Sequence, residues 1–199
     1  LFFVIPYNYE LSLNHDSLNI LMLILIGYRA TGKTTLAKLL AEKLGWDWID
    51  ADVEIERVAG KSIKRIFAEE GEPAFRDLEA KVIADLCRRE RLVIAAGGGA
   101  PLRDENRRAM RAAGKVVWLT ARPETIHARM SGDATTADRR PNLTARAPLA
   151  EIVHLLAVRE PIYRDTADFV LDTENRKPEE LADEIVRLLD CPSATDKLQ

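Results

Sequence analysis

An α/β fold, with a parallel sheet covered by helices on both faces, is what this sequence predicts. Three observations carry the prediction. Short, nearly continuous apolar runs such as LMLILI (21–26) and KVVWLT (115–120) alternate with stretches of helical period. A glycine-bracketed turn joins the first run directly to a helix-forming segment, TTLAKLLAEKL (34–44). No internal repeat or low-complexity segment interrupts the alternation.

The elements follow in order. After the first strand and helix, WDWID (46–50) reads as a second short strand. Two short helices, 52–59 and 62–70, are broken at Gly60, with Ser62 as N-cap of the second. Gly71-Glu72-Pro73 interrupts the period, and a helix resumes over 73–89 with Phe75, Leu78, Val82, Ile83 and Leu86 at helical spacing. A buried strand at 92–96 runs into Gly97-Gly98-Gly99; a helix at 104–113, a strand at 115–120 and a helix at 123–130 come next. The helix over 149–159 is expected to stop at the break set by Pro161. A strand at 168–172 and a helix at 178–189 complete the pattern. Residues 131–147 (SGDATTADRRPNLTARA) lack any usable period. Arg139 and Arg140 beside Pro141 mark this stretch as a mobile lid that closes over phosphates, with a solvated connector as the alternative.

Composition narrows the function. A chain of 199 residues is expected to form one domain with a sizeable core. A net charge of −3 argues against general binding to nucleic acid or a membrane surface. The apolar residues 1–5 are too few for a signal-peptide core or a membrane span, and Pro6 follows at once. Residues 1–21 are therefore expected to be an extension outside the core, 22–190 the domain, and 191–199 a tail. Cys87 and Cys191 lie far apart and His15, His127 and His154 are scattered. These read as free thiols in a reducing cytoplasm, with no zinc-ligand spacing.

The chemistry begins at GYRATGKTT (27–35), a complete GxxxxGK[ST] loop between a strand and a helix. Gly27 and Gly32 let successive N–H groups turn inward, and the following helix adds its positive end to the cradle. Lys33 is a point charge for the terminal phosphates, and the Thr34 hydroxyl suits Mg²⁺. This pattern binds a nucleoside triphosphate.

Four softer signals concern the acceptor. Asp50 and Asp52 stand at the end of the second strand, where one carboxylate suits Mg²⁺ and the other an acceptor hydroxyl; a helix N-cap is the competing reading. Arg76 in FRDLE (75–79) either faces a ligand or pairs on the surface with Glu72 or Glu79. Arg159 in REPIY (159–163) either does the same or complements a helix C-terminus. The triple glycine offers bare N–H groups or merely a turn. Together they describe a small anionic, hydroxyl-bearing acceptor, since a guanidinium fork suits a carboxylate better than lysine does.

In order and approximate spacing, these motifs resemble shikimate kinase over nearly the whole chain, from about residue 23 to residue 189. The resemblance implies a P-loop NTPase of the nucleoside-monophosphate-kinase type, with a five-stranded parallel sheet flanked by helices and a lid. It implies a cytoplasmic, monomeric enzyme with ATP and shikimate as its partners and Mg²⁺ as cofactor, making shikimate 3-phosphate for aromatic amino acid synthesis. By the same resemblance, Lys33, Asp52 and Arg140 are catalytic, and Thr34 and Asp50 serve the metal. Gly27, Ala30, Thr31, Gly32, Lys33, Thr34, Thr35, Arg129, Arg140 and Arg176 surround the nucleotide. Asp52, Arg76, Gly97, Gly98, Gly99 and Arg159 hold shikimate. Two departures stand out: Ala96 replaces a frequent Thr or Ser before the glycines, and the lid is long, with adjacent arginines. A related small-molecule kinase, such as one acting on gluconate, or a non-catalytic nucleotide-dependent module would share the phosphate loop.

Overall fold

A computed structural model describes residues 21–132 and 147–190. Five parallel strands stand in the order β2-β3-β1-β4-β5. They are β1 (Met22–Ile26), β2 (Asp47–Asp50), β3 (Leu92–Ala95), β4 (Lys115–Thr120) and β5 (Phe169–Asp172). The helices are α1 (Lys33–Leu44), α2 (Ala51–Ala59), α3 (Ile63–Leu86), α4 (Asp104–Ala113), α5 (Pro123–Ser131), α6 (Pro148–Thr166) and α7 (Pro178–Asp190). A 3-10 turn, Ala100–Leu102, follows the glycines.

Because strand side chains alternate between faces, β1 divides the core in two. Met22, Ile24 and Ile26 join one cluster with Ile55, Phe75, Ile83 and Met110 from α2, α3 and α4. Leu23 and Leu25 join the other with Leu36, Leu40 and Leu44 of α1 and Leu181 and Ile185 of α7. All five β1 residues are fully buried, as a central parallel strand covered on both sides requires. The edge strands are shorter of apolar residues: β2 and β5 each end in an aspartate, Asp50 and Asp172, which discourages further pairing.

Local chemistry sets the boundaries. Asp50 caps α2 by accepting the Asp52 N–H, and Ser62 caps α3 by accepting the Arg65 N–H at 3.3 Å. Gly71, at φ 81°, bends α3, and the helix resumes at once because Pro73 fits a first turn. Phe67 and Phe75 pack across this bend with ring centroids 4.7 Å apart.

One expectation is corrected. Pro161 does not end its helix: α6 runs through it to Thr166. Pro161 and Ala157, whose carbonyl loses its usual donor, are both exposed, so water substitutes for the missing bond. On the other side, Arg159 and Tyr163 are buried and tie the helix to the glycine turn.

Candidate active site

The carboxyl ends of β1, β2 and β3 converge, and the site is built there. After β1 the chain turns with positive φ at Gly27 (135°), Ala30 (60°) and Gly32 (93°). Gly27 admits no side chain, since a Cβ would stand 2.4 Å from the Leu119 carbonyl oxygen. Thr31 Oγ1 donates to the Tyr28 carbonyl at 2.9 Å, fastening the loop internally. Lys33 Nζ donates to the carbonyls of Gly27 (2.9 Å) and Tyr28 (2.6 Å). No side chain caps α1, whose N-cap is Gly32, so its first N–H groups face the loop's concavity.

Thr34, in the first turn of α1, donates its hydroxyl to Asp50 Oδ2 at 2.8 Å. The other oxygen, Oδ1, accepts the Asp52 N–H at 3.0 Å. Asp50 is thus a helix cap, the competing reading from sequence, and at the same time a partner of the loop threonine. A hydroxyl and a carboxylate locked together beside a phosphate cradle fit Mg²⁺, which prefers hard oxygens, keeps several waters and leans on substrate phosphates. Among the described residues there is no cluster of three or more His, Cys, Asp or Glu that could hold a metal ion.

The three glycines after β3 are buried, and two of them lie against other parts of the site. At Gly98 a Cβ would lie 3.2 Å from the Gly27 carbonyl oxygen; at Gly99 it would lie 2.4 Å from Arg76 Nη1. The Gly98 carbonyl accepts from Arg159 Nη1 at 3.4 Å and from the Tyr163 hydroxyl. Arg76 is 7% exposed; it donates to Glu79 Oε2 at 2.7 Å and to Glu72 Oε1 at 3.0 Å. The surface pairing considered from sequence is therefore a buried one with Glu79, itself 1% exposed. Arg159 is 6% exposed, with its Cζ 5.7 Å from the centre of the Tyr28 ring. Two buried guanidiniums thus border a glycine turn that abuts the phosphate loop.

Arg129 links the phosphate loop to the exit of β5, donating to Thr173 Oγ1 and to the Thr173 carbonyl, both at 3.0 Å, and to the Ala30 carbonyl at 3.5 Å. Arg176 pairs with Glu184 of α7. Glu174 accepts from the Arg122 N–H and from Thr125, and the backbone bond above all holds its carboxyl below the usual range. Thr35 is exposed at the start of α1. Arg140 lies outside the described residues, with the rest of 133–146.

The model of the family described as shikimate kinase matches residues 29–190. The chain belongs to the shikimate kinase family. The shikimate kinase of Rhodopirellula baltica is 46% identical over 175 residues, spanning 88% of this chain and 94% of that one. That of Pseudomonas savastanoi pv. phaseolicola is 44% identical, spanning 85% of this chain and 97% of that one. The solved structure of shikimate kinase from Acinetobacter baumannii in complex with shikimate superposes with a TM-score of 0.81 at 35% identity, covering 92% of this chain and 97% of that one.

Sequence reasoning missed several neighbours. Tyr28 is buried beneath Arg29 and Arg159, and burial raises its phenol above the ordinary value despite both cations. Arg29 pairs with Glu151 at 3.6 Å across 122 positions of sequence, a separation at which no local pattern points to a partner. Tyr163 was within the REPIY motif, and its buried hydroxyl needing an acceptor was the available clue. Ala96 is buried in the cluster on the α3 side of the sheet and carries no hydroxyl.

Proposed function

We propose that the chain transfers the γ-phosphoryl group of ATP to the 3-hydroxyl of shikimate, giving shikimate 3-phosphate and ADP on the way to chorismate. The observation that carries this reading is the glycine turn. One strip of bare backbone borders both the phosphate loop and two buried guanidiniums. Membership of the family supports the substrate, as does the likeness to a neighbour whose structure holds shikimate.

In this reading Arg76 and Arg159 take the acceptor's carboxylate, and the backbone around Gly98 takes a hydroxyl. Asp52, at the start of α2, accepts the hydrogen bond of the 3-hydroxyl and receives its proton as the O–P bond forms. The loop 27–35 wraps the phosphates, with Lys33 neutralising charge that spreads over the moving group. Thr34 and Asp50 would hold Mg²⁺, which would supply further neutralisation of phosphate charge. Arg129 and Arg176 flank the base, and Arg140 meets the transferring phosphoryl group. Because little covalent work falls to the protein, positioning and charge stabilisation carry the rate.

Residues 22–190 form the kinase domain in this reading, and 1–21 and 191–199 lie outside it; the enzyme acts as a cytoplasmic monomer. Among the described residues no helix is long and apolar enough to cross a membrane. A coupled assay of ADP release tests the proposal. Release should require shikimate and be absent with gluconate; release with gluconate alone, or none with either, would replace it by one of the two rival readings.

A further inference from the structure

We infer that Arg29 and Glu151 form a positioning pair that holds Arg159 in register with the phosphate loop, an inference that rests on reading Arg159 as a carboxylate-binding group. Arg29 is the third residue of the loop. Glu151 lies in the first turn of α6, the helix that carries Arg159. Their Nη2 and Oε1 atoms are 3.6 Å apart, with the glutamate side chain 2% exposed and the arginine 22%. Eight residues separate Glu151 from Arg159, about 12 Å along the helix axis.

Tyr28 connects the two ends. Its ring is buried and packs with Ile126 of α5 and with Ile152 and Leu156 of α6. Guanidinium carbons stand near it from two directions, Arg29 at 5.8 Å and Arg159 at 5.7 Å. Apolar packing of this kind brings α6 against the loop but is non-directional, so it does not fix the helix's rotation or its slide along its axis. An ion pair between one point on the helix and one on the loop opposes both, because its attraction weakens as the two charges are drawn apart. The pair also offsets repulsion between two like charges that share one aromatic ring. Glu151 therefore acts through α6 on where the Arg159 fork points, and Arg29 is its anchor on the nucleotide side.

The test uses the full chain in steady state, with Glu151→Gln, Arg29→Met, the double variant and Arg159→Lys as reference. Each single change should raise the shikimate KM about tenfold, and the double variant should also stay near tenfold rather than reach about a hundredfold, because both remove one shared interaction. Glu151→Gln should leave the ATP KM within about twofold. Multiplying effects in the double variant would overturn the inference. So would a lowered thermal midpoint with an unchanged shikimate KM, the result of a merely structural pair. Arg159→Lys must itself raise the shikimate KM; if it does not, the acceptor-site reading fails as well and the inference with it. If it does while Glu151→Gln changes nothing, the inference alone falls.

Discussion

Replacing Gly99 by alanine separates folding from function at this site. Its backbone, at φ −101° and ψ −8°, is one any residue adopts, so the substitution adds no backbone strain. The added methyl instead meets Arg76, at 2.4 Å from Nη1, 2.6 Å from Nη2 and 2.8 Å from Cζ. Ordinary contact begins near 3.5 Å, so the guanidinium must retreat by about 1 Å. It is the end of a long side chain and can do so at small cost, keeping part of its bond to Glu79. A compatible glycine-to-alanine change also gains about 0.4–1 kcal/mol through the unfolded chain. Net stability should therefore change by no more than about 1 kcal/mol, or roughly 2–4 °C in Tm. Binding is less forgiving. Losing a charge-assisted hydrogen bond costs about 1.5–3 kcal/mol, which corresponds to a rise of roughly ten- to a hundredfold in shikimate KM. The ATP KM should stay within about twofold, since Gly98 rather than Gly99 abuts the phosphate loop. Steady-state kinetics and a thermal melt on the same preparation decide the matter. An unchanged shikimate KM, or an equal rise in both KM values, would refute the argument that Arg76 is held in place by a missing side chain.

Other outcomes follow from the same geometry. Asp50→Ala removes the partner of Thr34 and the cap of α2, so the Mg²⁺ concentration for half-maximal activity should rise about tenfold while stability falls by about 1 kcal/mol. A magnesium titration at saturating ATP reads the first, chemical denaturation the second. Gly114→Ala drives a methyl to 2.1 Å from the backbone oxygen of Met22, far from the site. It should cost about 1–3 kcal/mol, seen as a lower Tm with both KM values unchanged. The Cys87 thiol is pushed up to about 11 by burial. At pH 8 roughly one molecule in a thousand then carries the thiolate, so iodoacetamide should leave Cys87 unmodified in folded protein and alkylate it in urea, as read by peptide mass mapping.

Much of this architecture is legible in the residues themselves. Helix 104–113 and strand 115–120 match their expected bounds because polar α4 and apolar β4 contrast sharply and Gly114 separates them. Trp46 was expected in β2, yet its N–H still bonds the Ala41 carbonyl at 3.0 Å as part of the α1 exit, and sheet pairing begins at Asp47. Pro161 misleads because a proline's effect depends on which side of the helix it faces, and period alone did not reveal that α6 turns Pro161 outward. FRDLE and REPIY pointed to Arg76 and Arg159, but not to their burial. An arginine beside a glutamate looks the same in sequence whether the pair is solvated or enclosed, and only the glycine turn pressing on both decides it.

That turn explains why the strand order matters to the chemistry. The chain passes from β1 to β2 and only then inserts β3 between them. The exit of β3 is consequently flanked by the phosphate loop after β1 and by the Asp50–Asp52 corner after β2. A side chain at Gly98 would press on the loop's backbone, and one at Gly99 would displace the Arg76 guanidinium. In the proposed reading, the donor and acceptor sites thus share this turn as a common wall. The residue that abuts the loop, Gly98, is also the one whose carbonyl anchors Arg159 and Tyr163. The precision that phosphoryl transfer requires is met here by contact between main chains, which have no rotamers to exchange.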